Sequence, residues 1–199
     1  MTSNHSNCTP SDPHVAASFI NIGAVYAGKG DLENALVQYQ KGLEIQTRVF
    51  GSDHPDVAKS YGNIGNVLDD MGKPEEALVH MQKGLEIELK LLGSDHPDVA
   101  DSFNNIGAVY GRKGDFENAL VQYQKGLEIK TCVFGSDHPD VAASFYNIGT
   151  VYGRKGDLEN AFLQFQKALE IQTRVFGSDH PDVADSSSSS GCLLQVQVL

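Results

Sequence analysis

The chain has 199 residues, of which 40% are hydrophobic and 21% charged, proportions of a folded protein and not of a disordered one. Its net charge of −11 argues against a nucleic-acid footprint, which needs clustered Lys and Arg. The three cysteines, Cys8, Cys132 and Cys192, are odd in number and unpatterned, which speaks against a disulfide framework or a thiolate zinc site and for a reducing compartment. Met1-Thr2-Ser3-Asn4-His5 has neither the basic nor the apolar region of a secretory signal. No apolar run approaches the ~20 residues of a membrane span, so a soluble cytoplasmic protein is expected.

Residues 1–10 read as a disordered N-terminus. The first helix follows, with Val15, Phe19, Ile22 and Tyr26 on one helical stripe. Lys29-Gly30 ends it, Gly30 being suited to a left-handed C-terminal position. Asp31 is the expected N-cap of a second helix, with Glu33 in its positively polarised first turn. That helix carries Leu32, Ala35, Leu36, Tyr39, Leu43 and Phe50 on its apolar stripe. Gly51-Ser52 stops it, and Asp53-His54-Pro55-Asp56 starts the next. Pro55 at the first helical position would make His54 the cap. Asp53 is the favoured alternative, because a carboxylate accepts the orphan amides well.

The octapeptide G-S-D-H-P-D-V-A then recurs from Gly51, Gly93, Gly135 and Gly177, a period of 42 residues, and Ser11-Asp12-Pro13-His14-Val15-Ala16 is an imperfect earlier copy. Pro74 opens the second helix of the second unit, supporting the same boundary in different chemistry. A period of this size signals a solenoid, whose units bury their apolar faces only against neighbours. The array spans 11–184, with units of about 11–50, 51–92, 93–134 and 135–176 and the start of a fifth helix. Residues 185–199 form a Ser-rich degenerate tail, where Ser187 replaces the aromatic of Phe103 and Phe145.

Recurring positions carry a family resemblance: Phe19, Ile22-Gly23, Tyr26, Ala35, Tyr39 and Gly42, then Tyr61, Ile64-Gly65, Leu68, Ala77, Met81 and Gly84. The third unit has Phe103, Ile106-Gly107, Tyr110, Ala119, Tyr123 and Gly126, and the fourth Phe145, Ile148-Gly149, Tyr152, Ala161, Phe165 and Ala168. Large and small residues alternate at the offsets of the tetratricopeptide repeat (TPR), which this chain resembles over 11–184. Its 42-residue unit with the D-H-P-D-V-A turn is similar to the kinesin light chain subtype. The resemblance implies an all-α fold, a right-handed α-solenoid of antiparallel helix pairs.

It also implies that first helices line a concave groove, with two positions one turn apart pointing into it. They carry Ile20 and Ala24, Gly62 and Asn66, Asn104 and Ala108, and Tyr146 and Thr150. None is basic, so the carboxylate clamp of co-chaperone arrays is not expected. Arg112 and Arg154, near the ends of first helices, supply positive charge at one end, whereas Asp69 and Asp70 give the second repeat the opposite character. The ligand these positions suggest is an extended peptide with an apolar or aromatic anchor, basic near repeat two and acidic near repeats three and four. Asn21, Asn63, Asn105 and Asn147 recur without exception and are read as structural hydrogen-bonding residues. Gly42, Gly84 and Gly126 cost about 1 kcal/mol each inside helices, and the expectation is that alanine there would raise the melting temperature.

Other chemistry is disfavoured. Gly23-Ala24-Val25-Tyr26-Ala27-Gly28-Lys29-Gly30 nearly spells a phosphate-binding loop, but lacks the Ser or Thr for magnesium and follows a helix. His54, His96, His138 and His180 stand beside carboxylates, yet equivalents in successive repeats lie at least a helix spacing of ~8–10 Å apart. Zinc ligands sit at ~2.0–2.1 Å, so no metal and no cofactor is expected. Nor does any unique nucleophile–base pair break the repetition. The expected function is a non-enzymatic scaffold for protein or peptide partners, kinesin light chain-like, cytoplasmic and cytoskeleton-associated, with no nucleic acid and no membrane as partner. Alternatives are the sensor arm of a larger nucleotide-binding switch, or a self-stacking array that associates end to end.

Overall fold

The computed structural model describes residues 12–177. The expected disordered segment 1–10, the start of a fifth helix, His180 and the tail 185–199 lie outside the described residues. Among those described, all regular secondary structure is helical: α1 (Pro13–Gly28), α2 (Leu32–Phe50), α3 (Pro55–Asp70), α4 (Pro74–Leu92), α5 (Pro97–Lys113), α6 (Phe116–Phe134), α7 (Pro139–Lys155) and α8 (Leu158–Phe176). The architecture is an all-α solenoid of helix pairs. The chain divides into two compact units, one holding α1–α4 and the other α5–α8. In the first, α1 packs on α2 and α2 on α3; in the second, α5 packs on α6, α6 on α7 and α7 on α8.

Local chemistry sets the boundaries. Gly30 adopts φ 77°, a left-handed conformation only glycine takes without strain. This lets the Asp31 N–H return to the Tyr26 carbonyl at 3.0 Å. Asp31 then caps α2 as expected, its carboxylate accepting from the Asn34 backbone N–H at 3.3 Å and side-chain amide at 2.8 Å. Asp115 and Asp157 repeat the arrangement, and the bonds from Asn118 and Asn160 hold both carboxyls below the usual carboxylate range.

The caps of α3, α5 and α7 correct the sequence reading. They are His54, His96 and His138, and not the preceding aspartates. Each Nδ1 accepts the N–H of the residue after proline, at 3.2 Å from Asp56, 3.1 Å from Asp98 and 3.2 Å from Asp140. Proline has no N–H to cap and fixes the first helical φ, so the cap falls immediately before it. Accepting at Nδ1 also requires the neutral imidazole with its proton on Nε2. Freed from capping, Asp53 pairs with Lys90 of α4, and Asp137 with Arg174 of α8. The His54 and His138 rings stack on Phe50 and Phe134, at centroid distances of 4.3 and 4.5 Å, tying each helix end to the next start.

The core of the first unit joins Val57 and Ala58 of α3 to Ile87 of α4, with Leu43 and Tyr61 against them. In the second it gathers Tyr123, Leu127, Val141, Ile148 and Ile171. Burying each such side chain contributes about 1.5–3 kcal/mol. A polar lock crosses from α2 to α3: buried Ser60 donates to Gln46 Oε1 at 2.6 Å.

The recurrent helix-interior glycines are contact residues, and at Gly84 and Gly126 the contact is with backbone, which opposes the expected gain from alanine. A Cβ on Gly84 would lie 2.9 Å from the Ala58 carbonyl oxygen, and one on Gly126 3.1 Å from that of Ala100 and 2.5 Å from Asn104 Oδ1. On Gly42 it would meet the end of the Ile20 side chain at 2.5 Å. At Gly84 and Gly126 the helices of a pair approach too closely for a free gain from helix propensity, whereas at Gly42 the obstacle is the movable end of a side chain.

Candidate peptide-binding surfaces

Ile20, Gly62, Asn104 and Tyr146 are half-buried and face the second helix of their own pair. Ile20 lies over Gly42, the Gly62 amide faces Gly84, Asn104 lies over Gly126, and the Tyr146 ring meets Phe165 at a centroid distance of 5.1 Å. One turn later, Ala24, Asn66 and Thr150 are exposed, whereas Ala108 is half-buried and packs on the second unit's core. Thr150 bonds back to the Tyr146 carbonyl at 3.0 Å. The residue against the small second-helix position thus shapes the surface, while its neighbour one turn on meets solvent. Asn21 and Asn105 are exposed, which an internal structural hydrogen bond does not account for.

In the second unit the stripe on each first helix ends in arginine. Asn104, Ala108 and Arg112 succeed one another at four-residue steps on α5, as do Tyr146, Thr150 and Arg154 on α7, each stripe about 12 Å long. Both guanidinium groups act on Tyr123 of α6, countering the rise that burial imposes on its hydroxyl. Arg154 also lies over the Phe116 ring, 5.7 Å from its centroid. Beside it, Lys155 pairs with Glu117 at 2.8 Å, which lowers the carboxyl's pKa and raises the ammonium's. Two arginines from different helices therefore lie within electrostatic reach of one tyrosine on the helix between them. Asn104 Oδ1 is buried with no hydrogen-bond partner.

Two clefts lie elsewhere, lined by none of the ten sequence-predicted residues. In the first unit a cleft of about 440 Å³ has Leu43, Tyr61 and Ile64 along it, with Glu44, Arg48 and His80 at its edges. In the second, a cleft of about 490 Å³ runs between α6 and α7, past Leu120, Val121, Ile148 and Tyr152. Sequence reasoning missed His80, although it stands where the other repeats have Gln38, Gln122 and Gln164. Its Nδ1 is buried without a partner, and burial together with Lys83 pushes its pKa down against the opposing effect of Glu76. A second recurrent feature is a lysine over the first-helix aromatic: Lys41 on Phe19, Lys83 on Tyr61, Lys125 on Phe103 and Lys167 on Phe145, at 5.1–5.8 Å. Such contacts contribute about 0.5–1 kcal/mol each at exposed sites.

His54, His96 and His138 are engaged as caps, and the described residues contain no group of three or more metal-ligating side chains. No described helix is long and apolar enough to cross a membrane.

A sequence profile of the tetratricopeptide repeat family matches residues 14–89, 70–131, 131–173 and 140–195. A search of curated protein sequences finds no significant match. Among solved structures, BtubC (BKLC) from P. vanneervenii is similar at 25% identity and a TM-score of 0.77, over 88% of this chain and 70% of that one. A Podosopora anserina protein described as a kinesin light chain with nearly identical TPR-like repeats matches at 22% identity and a TM-score of 0.81, over 94% of this chain and 88% of its own. The latter likeness is one of fold.

Proposed function

The chain belongs to the tetratricopeptide repeat family, and from that premise we propose that it is a non-enzymatic, cytoplasmic interaction scaffold of kinesin light chain type that binds extended peptides along its first helices. The observation that supports this reading is that Arg112 and Arg154, at the ends of stripes that begin with Asn104 and Tyr146, come close together: an Arg154 guanidinium nitrogen lies 4.0 Å from the Cβ position of Gly111, the residue before Arg112. A peptide carboxylate meets two guanidinium groups at one end, and an apolar or aromatic anchor meets the half-buried Tyr146 ring at the other. In the first unit the corresponding stripes hold Ile20, Ala24, Gly62 and Asn66 and lead toward Asp70, so they suit an apolar segment with a basic end.

An acidic-aromatic peptide, followed by fluorescence anisotropy, tests this. Reversing Arg112 and Arg154 to Glu replaces two attractions of about 0.2–1 kcal/mol each with repulsions, weakening binding about tenfold or more. The wild-type affinity should fall with added salt. Unchanged affinity in the reversed variant, with helical content intact by circular dichroism, would refute the reading.

A further inference from the structure

Turns with identical sequence are held differently in different repeats. In repeats two and four, two side-chain contacts secure the loop that opens the helix pair. The second helix reaches back to that loop, Lys90 pairing with Asp53 and Arg174 with Asp137. The aromatic that ends the preceding helix stacks on the capping ring, Phe50 on His54 and Phe134 on His138.

The turn that opens repeat three, Gly93 to Ala100, has the same eight letters and neither contact. Exposed Cys132 stands where Lys90 and Arg174 stand, and a neutral thiol offers Asp95 no cation. Leu92 stands where Phe50 and Phe134 stand, and it has no ring to lay on His96. Among the described residues, Asp95 accepts from its neighbour Ser94 Oγ at 2.9 Å, and no ring stacks on His96. The bond from the Asp98 N–H to His96 is accordingly exposed, whereas those from Asp56 and Asp140 to their caps are half-buried. The boundary between the two compact units falls at the same link, after Leu91. We propose that this turn is a built-in opening point, at which the first turn of α5 unwinds locally while those of α3 and α7 stay closed. The two missing contacts, one aromatic stack and one exposed ion pair, correspond together to about a tenfold difference in local opening. The helix so affected is the one that carries Asn104, Ala108 and Arg112.

Local opening is independent of peptide binding and is measured without a peptide. Because the eight letters are the same in all three turns, their amides share intrinsic exchange chemistry, and differences in rate report structure. Native-state hydrogen exchange of the full chain by NMR should show the amides of residues 98–100 exchanging about tenfold faster than those of 56–58 and 140–142. Leu92→Phe combined with Cys132→Arg installs residues that sister repeats already hold. It should slow exchange at 98–100 about tenfold and leave Ile106 and Val109, deeper in α5, unchanged. The converse pair, Phe134→Leu with Arg174→Cys, should quicken exchange at 140–142 by the same factor. Equal protection of the three turns in the wild-type chain, or a Leu92→Phe, Cys132→Arg variant whose residues 98–100 keep their rate, overturns the proposal. Slowing that extends equally to Ile106 and Val109 also overturns it, because it marks general stabilisation and not closure of the turn.

Discussion

Gly84→Ala sets helix propensity against packing at a site where both can be sized. Propensity alone favours alanine by about 1 kcal/mol in a helix interior. The new Cβ, however, would stand 2.9 Å from the Ala58 carbonyl oxygen, 3.5 Å from the Tyr61 Cβ and 3.7 Å from the Gly62 amide. The nearest of these is backbone of α3, so relief requires a shift of a whole helix against α4, and overpacking of this kind costs about 1–3 kcal/mol. The balance is a net loss of about 1 kcal/mol, or a fall in melting temperature of about 2–4 °C. Gly42→Ala supplies the contrast. Its closest neighbour is the mobile end of the Ile20 side chain, with backbone no nearer than 3.3 Å, so it should be neutral or stabilising. Gly126→Ala, with a carbonyl at 3.1 Å, should fall between them. Thermal melts followed by circular dichroism, checked by urea unfolding, decide the order. A Gly84→Ala protein stabilised by as much as the Gly42→Ala protein would refute the packing argument.

His96→Ala removes the acceptor for the Asp98 N–H and should cost about 1 kcal/mol, with faster amide exchange in the first turn of α5, whereas His96→Asn should retain most of the stability. Equal loss in both variants would show that the ring matters for something other than capping. His80 should titrate below its ordinary 6.5 by NMR, because burial and Lys83 disfavour its cation. Its folded pKa lies under its unfolded one, so stability is full above the unfolded value and declines as pH falls through that value toward the folded one. His80→Gln, which restores the residue of the other repeats, should remove this acid-side loss, and an unchanged pH profile would exclude His80 as its source.

Much of the fold was legible because its causes are local. Asp31, Gly30 and Pro74 stop and start helices through their own side chains and backbone, and each lies where the sequence placed it. The capping of α3 was misread by one residue, since side-chain preference pointed to Asp53 while the missing N–H of Pro55 fixed His54. The candidate surface was legible in part. Arg112 and Arg154 could be named from the sequence, but their shared electrostatic reach to Tyr123 depends on how α5 and α7 lie against α6. His80 went unnoticed because a single departure within a repeat carries no sign of burial.

The sequence by itself determined the period, the helix pairs and their turns, because propensity, capping and the apolar stripe act within a few residues. Only the tertiary structure decided what identical letters do. Ile22 and Ile64 have the same local neighbours, Asn and Gly, yet one is exposed and the other buried. Gln46 bonds Ser60, whereas Lys130, at the same place in the third repeat, reaches Asp101 at 2.8 Å. In a solenoid the repeat specifies the shape of each face, but burial and its free energy arise only where another helix lies against that face.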